Sequence, residues 1–161
     1  MMHTAARAGS DAGSFTQAAA EELVTMQSFV ALLEQERGAL GQGKADALPA
    51  LAAEKITLIE ILSRCAEQRA RLLGVGGVSA TAAGIRQLLG SDPDAQEIWN
   101  NLLDVARRAA ELNAGNGFLV NQCLAHVDRA INAIGGSRTS LYSTSGIASF
   151  GSGASRSLAQ G

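Results

Sequence analysis

Three long stretches of the chain place apolar side chains at alternating steps of three and four residues, with polar positions between them. In the first stretch, from about Phe15 to Leu40, the row consists of Ala19, Leu23, Met26, Val30, Leu33, Arg37 and Leu40, and it is apolar except at Arg37. This spacing is the period of a helix that buries one face. The first stretch therefore predicts a long helix, and Gly41 and Gly43 predict its end.

A second row of the same kind begins after the glycine-containing connection. It consists of Leu48, Leu51, Lys55, Leu58, Leu62, Cys65, Arg69 and Leu72. Because the connection is short, we expect the first two helices to lie side by side and antiparallel. Lys55 and Arg69 are charged members of this row. We expect either that their charged ends extend outward to solvent or that they mark where this face of the helix is open.

A short amphipathic helix and a third long helix are predicted for the second half of the chain. The short helix covers residues 79–89, and Ser91 or Asp92 then caps a helix in which Pro93 takes the first position. The apolar row of the third helix consists of Ile98, Leu102, Val105, Ala109, Leu112, Leu119, Cys123, Val127 and Ile134. A second row beside it consists of Val120, Leu124 and Ile131.

The length of the third helix suggests that part of its apolar face lies beyond the other two helices. At ~1.5 Å per residue it is roughly 60 Å long, against roughly 40 Å for each of the first two helices. We therefore expect about a dozen residues of this face to project past the first two helices or to lie across an open groove. A partner protein can cover it, and so can a second copy of the chain in a homodimer. The periodicity alone does not decide between them.

The segment Asn113-Ala114-Gly115-Asn116-Gly117 interrupts the third row and has two interpretations. It is either a turn that divides the helix, or a continuous helix whose small residues allow another backbone to approach. The row keeps its phase across the segment, which favours continuity, with a bend. Asn113 and Asn116 are then either polar residues facing solvent at that bend or a buried pair that fixes the helix register, with Gly117 beside them.

Composition and charge agree with an all-α chain that binds protein. The length of 161 residues suits one domain, in which we expect a flexible N-terminus at 1–14, a helical domain at 15–135 and a flexible Gly/Ser-rich tail at 136–161. The net charge of −2 argues against nucleic acid, and no apolar run is long enough to insert into a membrane. With no signal segment, we expect a cytoplasmic protein. Cys65 and Cys123 are expected as buried free thiols.

A search for catalytic or metal-binding residues finds no arrangement that predicts an enzyme or a cofactor. Cys123 and His126 are three residues apart, but a metal site needs three or four ligands. A helical phosphotransfer domain that uses His126 is a further alternative. The neighbouring Asp128 opposes it, because a carboxylate repels the phosphoryl group.

Several segments together resemble the FlgN family of flagellar type III export chaperones. These segments are Leu33-Glu34-Gln35-Glu36-Arg37-x-Ala39-Leu40, Ala47-Leu48-x-x-Leu51-x-x-Glu54-Lys55, Trp99 with Leu102 and Ala109, Asn113-x-x-Asn116-Gly117-x-Leu119-Val120, and Leu141-Tyr142-x-x-x-Gly146. The resemblance extends from about Ala20 to Gly146, and its most specific part is the Asn-x-x-Asn-Gly element.

The resemblance implies an antiparallel bundle of three long helices and a chaperone function. The implied clients are the hook–filament junction proteins FlgK and FlgL, whose C-terminal helical segments the chaperone would hold and deliver to the export gate FlhA. The family binds its clients through its C-terminal region, which here offers Leu119, Val120, Cys123, Leu124, Val127, Ile131 and Ile134. The family's tyrosine linked to the export gate corresponds to Tyr142. A self-associating structural coiled coil remains the alternative.

Overall fold

The computed structural model describes the backbone of residues 2–146 and the side chains of residues 11–134. Its elements are α1 (Met2–Gly41), a 3-10 turn (Ala45–Ala47), α2 (Leu48–Val75), α3 (Ala82–Leu89) and α4 (Pro93–Gly146). Residues 2–146 contain no β-strand. The prediction of an all-α chain with one short additional helix is therefore confirmed.

Both terminal helices are longer than the apolar rows predict. α1 begins at Met2 instead of near Phe15, in a segment rich in alanine, the strongest helix former. α4 continues past Gly135 to Gly146, and it passes through the Asn113–Gly117 segment without a turn there. The flexibility expected for residues 1–14 and 136–161 stays a prediction, and residues 147–161 lie outside the described part of the chain.

Two ion pairs join α1 to α2. Arg69 donates from Nε and Nη2 to the carboxylate of Glu22 at 2.8 and 3.2 Å, and Lys55 Nζ donates to Glu36 at 2.9 and 3.2 Å. The later residue of α1 pairs with the earlier residue of α2, so these two helices run antiparallel where they touch. The expectation that both cations extend to solvent is wrong, because each finds a carboxylate on α1.

The core consists of two apolar clusters at different positions along α1. The first contains Phe15, Leu73, Ile85, Leu89 and Ala95, with Trp99 packed against it. The second contains Phe29, Val30, Leu33 and Ala109, with Leu58 and Leu62 against it. Each cluster takes residues from α1, α2 and α4, while α3 contributes only to the first.

The connection between α2 and α4 is fixed by specific hydrogen bonds. The Thr81 side chain accepts a hydrogen bond from Gly84 N at 3.1 Å and so caps α3. Gly84 approaches the preceding loop so closely that a Cβ there would overlap the carbonyl oxygen of Ser79. Asp92 Oδ1 accepts from the backbone N–H groups of Asp94 and Ala95 at 3.1 and 3.2 Å. Of the two residues predicted to cap the long helix, Asp92 makes the bonds.

The chain divides into two compact units, Met1–Leu119 and Val120–Gly161. The first unit contains both apolar clusters and both ion pairs between α1 and α2. The described part of the second unit is the C-terminal portion of α4.

Candidate partner-binding surface

The C-terminal portion of α4 carries a row of exposed, branched apolar side chains. We call this row the α4 stripe; it consists of Val120, Leu124, Val127, Ile131 and Ile134. Its members follow each other at steps of four, three, four and three, which is the spacing of a coiled-coil seam. Leu124, Ile131 and Ile134 are 58, 60 and 66% exposed. The stripe therefore has the spacing of a helix-packing seam, and no other described residue covers it.

The same helix buries its apolar row in the first unit. Leu102, Ala109 and Asn116 follow each other at steps of seven, and each is buried. From Val120 to Ile134 every residue is exposed. Leu119, which the sequence groups with the exposed residues, is half-buried, and Cys123 is exposed beside the stripe.

Few charges surround the α4 stripe. Between Val120 and Ile134 the ionic side chains are Asp128 and Arg129, and His126 is the one histidine. Arg129 Nε donates to the carbonyl oxygen of Ala125 at 3.1 Å, so its side chain lies along its own helix. A surface with few charges and a row of apolar side chains is suited to packing against an apolar helix face, with little contribution from ion pairs.

A buried polar contact lies just before the α4 stripe begins. Asn116 is 1% exposed, and its Nδ2 donates to the Leu33 carbonyl oxygen and to Glu36 Oε2, both at 2.8 Å. Glu36 also accepts from Lys55, so a single carboxylate joins α1, α2 and α4. We call Asn116, Glu36 and Lys55 the polar node. Asn113 is exposed and takes no part in it.

The two glycines beside Asn116 have no close neighbour. A Cβ added at Gly115 or Gly117 would meet no atom within 4 Å outside the local helix. The expectation that small residues here admit another backbone is therefore wrong for these two glycines. Because glycine in a helix interior is less favourable than alanine by roughly 1 kcal/mol, they weaken α4 locally. We find no packing reason for them.

The two cysteines have different surroundings, and neither forms a disulfide. Cys65 is half-buried, and burial together with the nearby carboxylates of Glu22 and Glu21 raises the pKa of its thiol. Cys123 is exposed, so the expectation that both thiols are buried is wrong for Cys123. Cys123 is therefore the more accessible thiol for chemical labelling.

The backbone of Tyr142 belongs to α4, but its side chain is outside the described part of the chain. Among the residues that the structure does describe, no group of three His, Cys, Asp or Glu side chains could hold a metal ion. No helix in that part of the chain is long and apolar enough to cross a membrane.

A second exposed apolar row lies on α2, where the sequence places Ile56, Ile59 and Leu73 in a row that flanks the core-facing one and for which no function was predicted. Ile56 and Ile59 are 61 and 46% exposed, although their apolar character suggests a core position. A signal for this row was available, because Ala52, Ile56, Ile59, Ser63, Ala66 and Ala70 also follow each other at alternating steps of four and three. The polar node was missed in part, since the sequence does not reveal which carboxylate Asn116 reaches.

Comparison with known proteins places the chain in one family. The family model described as FlgN protein matches residues 11–149, which is most of the chain. No curated protein and no solved structure matches it. The FlgN family is a chaperone family and is not known as an enzyme family, so membership suggests a flagellar export chaperone in general. On the extent of this match, the chain belongs to the FlgN family.

Proposed function

We propose that this protein is a cytoplasmic chaperone that holds the C-terminal helical segments of the hook–filament junction proteins FlgK and FlgL. It prevents their premature association and delivers them to the export gate FlhA. Within residues 1–119, α1, α2 and α4 form an antiparallel bundle, and α4 continues from it into the segment that carries the α4 stripe. The single observation that carries the proposal is the α4 stripe, a row with coiled-coil spacing that no other described residue covers, in a family of flagellar chaperones.

The chemistry of the stripe fits an amphipathic client helix. Val120, Leu124, Val127, Ile131 and Ile134 extend over about two heptads, so a client helix of similar length can insert its own apolar row between them. Cys123 borders the same face. Leu119 is half-buried in the first unit, so it contributes less new buried area than the sequence suggests.

The expected affinity allows the client to be released. Five partly exposed branched side chains, with a similar area on the client, bury on the order of 600 Å² of apolar surface, or ~15 kcal/mol gross. Ordering the client helix and losing its free translation offset most of this gain. An affinity between micromolar and nanomolar remains, which suits a chaperone that must hand over its client.

Titration calorimetry with the C-terminal segments of FlgK and FlgL tests the proposal. We expect one client segment to bind one chaperone chain, with a negative heat-capacity change because apolar surface is buried. Failure of both segments to bind at a concentration of about 100 µM, in a range where weak complexes are detected, would contradict the proposed clients.

Tyr142→Ala is expected to separate client binding from export. Tyr142 lies beyond Ile134, the last member of the α4 stripe, so client affinity should stay within about twofold of wild type. Binding to the cytoplasmic domain of FlhA and secretion of the clients should both fall. Tyr142→Phe, which keeps the ring, is the matched control. A parallel loss of client affinity in Tyr142→Ala would mean that the two sites are one.

Asn116→Leu is expected to weaken client binding without unfolding the protein. We propose that the polar node fixes the register in which α4 packs, and hence where the α4 stripe begins. Leucine has a suitable volume for the buried position, and Glu36 keeps its ion pair with Lys55, so the melting temperature should not fall. Client affinity should fall about tenfold, since α4 then has more than one packing register.

The matched control for Asn116→Leu is Asn113→Leu, the same substitution at an exposed position three residues earlier. It should leave both the melting temperature and client affinity unchanged. Wild-type affinity in Asn116→Leu would show that packing of the apolar row alone sets the register.

A further inference from the structure

We propose that Asn116 is a site of spontaneous deamidation, which local unwinding of α4 permits and which breaks the polar node. Asn116 is followed by Gly117, and this is the one Asn-Gly pair in the chain. Because glycine has no Cβ, its backbone nitrogen is the least hindered nucleophile that can follow an asparagine. In the described part of the chain Asn116 is also the last buried residue of α4, just before the α4 stripe begins.

The reaction needs only water as a co-reactant. The backbone nitrogen of Gly117 attacks Cγ of the Asn116 side chain, and the new N–Cγ bond closes a succinimide ring. The Cγ–Nδ2 bond breaks, and Nδ2 leaves as ammonia with the proton of the Gly117 amide. Water then opens the ring at one of its two carbonyl carbons. The product is aspartate or isoaspartate at position 116, with one water consumed and one ammonia released.

The folded helix holds the two reacting atoms apart. In an α-helix each backbone N–H donates to the carbonyl oxygen four residues earlier, so the nitrogen of Gly117 is directed at Asn113. The Asn116 side chain is 1% exposed, and its leaving group Nδ2 donates to Leu33 and Glu36, both at 2.8 Å. The reaction therefore has to wait until α4 unwinds at this point and the polar node opens.

Unwinding of α4 at Asn116 sacrifices little packing. From Gly117 to Ile134 every residue is exposed except Leu119, which is half-buried. This part of the helix therefore lacks the tertiary contacts that supply most helix stability in proteins. Gly115 and Gly117 weaken it further, and a Cβ at either position would meet no neighbouring atom. These two glycines, for which packing gives no reason, thus set how often the node opens.

The product of the reaction does not fit the polar node. Aspartate at position 116 has no N–H groups to donate to the Leu33 carbonyl oxygen or to Glu36. It also brings a second carboxylate next to Glu36, where Lys55 is the cation of the node. Asn116 Oδ1 already has no hydrogen-bond partner among the described residues, so the new charge is buried without a donor. Isoaspartate in addition lengthens the backbone of α4 by one methylene group and interrupts its hydrogen bonding.

Client binding slows the reaction, and this step rests on the proposed function. A client helix on the α4 stripe keeps the C-terminal portion of α4 helical, so the unwound form does not bind the client. Opening is then suppressed by a factor of about ten when the client concentration is roughly ten times the Kd. A chaperone that waits without client loses its polar node with time, whereas a loaded chaperone keeps it.

Peptide mapping of the full chain by mass spectrometry tests the modification. In mildly alkaline buffer, Asn116 should gain the mass of an amide-to-acid conversion more slowly than in the urea-unfolded chain, and faster than Asn113, which precedes alanine. Gly115→Ala keeps the Asn-Gly pair and should slow the conversion about fivefold, which corresponds to the roughly 1 kcal/mol between glycine and alanine in a helix. Gly13→Ala, the same substitution at an exposed position of α1, should leave the rate unchanged.

Equal rates at Asn116 and Asn113, or equal rates in Gly115→Ala and Gly13→Ala, overturn the proposal. So does a native rate that lies below the unfolded rate by the whole global unfolding constant, because local opening then contributes nothing. Saturating FlgK or FlgL segment should slow the conversion of Asn116 about tenfold. A conversion rate that ignores bound client leaves the modification in place and contradicts the proposed function.

Asn116→Asp measures the effect of the product directly. Its melting temperature should fall by about 5 °C or more because a buried carboxylate lacks a donor, and client affinity should fall at least about tenfold. Asn113→Asp, the same change at an exposed position, should leave both unchanged. A wild-type melting temperature in Asn116→Asp would show that the polar node tolerates the product, and it overturns the proposal whether or not clients bind.

Discussion

Replacing Leu124 and Ile131 together by aspartate is expected to abolish the complex with the FlgK and FlgL segments. Both side chains lie in the middle of the α4 stripe and are more than half exposed, so nothing in the described chain depends on them. In the complex each would bring an unpaired carboxylate into an apolar contact, in addition to the loss of a branched side chain. We expect the affinity to fall more than 100-fold, which corresponds to about 3 kcal/mol or more.

The control for this double variant is Gln122→Asp/Asn132→Asp, which adds the same two charges to α4 outside the stripe. Calorimetry should give wild-type client affinity for the control, and circular dichroism should give the same helix content for all three proteins. If the stripe variant still bound its clients tightly, the binding surface would have to lie elsewhere on the chain. A comparable loss in the control would point to net charge as the cause.

Phe15→Ala is expected to lower stability more than any exposed substitution in the chain. Phe15 is fully buried, and the centroid of its ring lies 5.6 Å from the ring centroid of Trp99. The guanidinium carbon of Arg69 lies 5.4 Å from the Trp99 ring centroid. Removal of a buried phenylalanine side chain destabilises proteins by about 3–5 kcal/mol. For a chain of this size we expect the melting temperature to fall by about 10 °C.

Phe118→Ala provides the matched control, because the same side chain is 63% exposed there. Its effect on the melting temperature should stay within about 2 °C. Equal effects of the two substitutions would mean that the N-terminal part of α1 does not pack against α4 in solution. Client binding by Phe15→Ala at low temperature should be normal, since the α4 stripe is not part of the first apolar cluster.

The apolar period predicted the helices well but not their ends. The rows on α1, α2 and α4 were readable because burial of one face repeats every three or four residues, and the caps at Gly43 and Asp92 were readable from local chemistry. The extension of α1 to Met2 carries no apolar period, so only alanine propensity could have indicated it. Propensity alone is a weak signal.

Polar contacts between helices were the least predictable part of the candidate site. Lys55 and Arg69 interrupt an apolar row, and sequence alone allows either exposure to solvent or an ion pair. Their partners Glu36 and Glu22 are 19 and 47 residues away along the chain, so only the packed helices bring them together. Asn116 raises the same difficulty: its position in the row suggested burial, but the Leu33 carbonyl oxygen that it reaches is 83 residues distant.

The scarcity of charge around the α4 stripe has consequences for how client binding should depend on ionic strength and temperature. Without a charged rim we expect little long-range attraction to guide a client, and an association rate constant of about 10⁵–10⁶ M⁻¹s⁻¹. Raising the ionic strength should leave the proposed complex intact, because there is little electrostatic energy to screen. Cooling should weaken the complex instead, since the free energy gained by burying apolar surface falls with temperature.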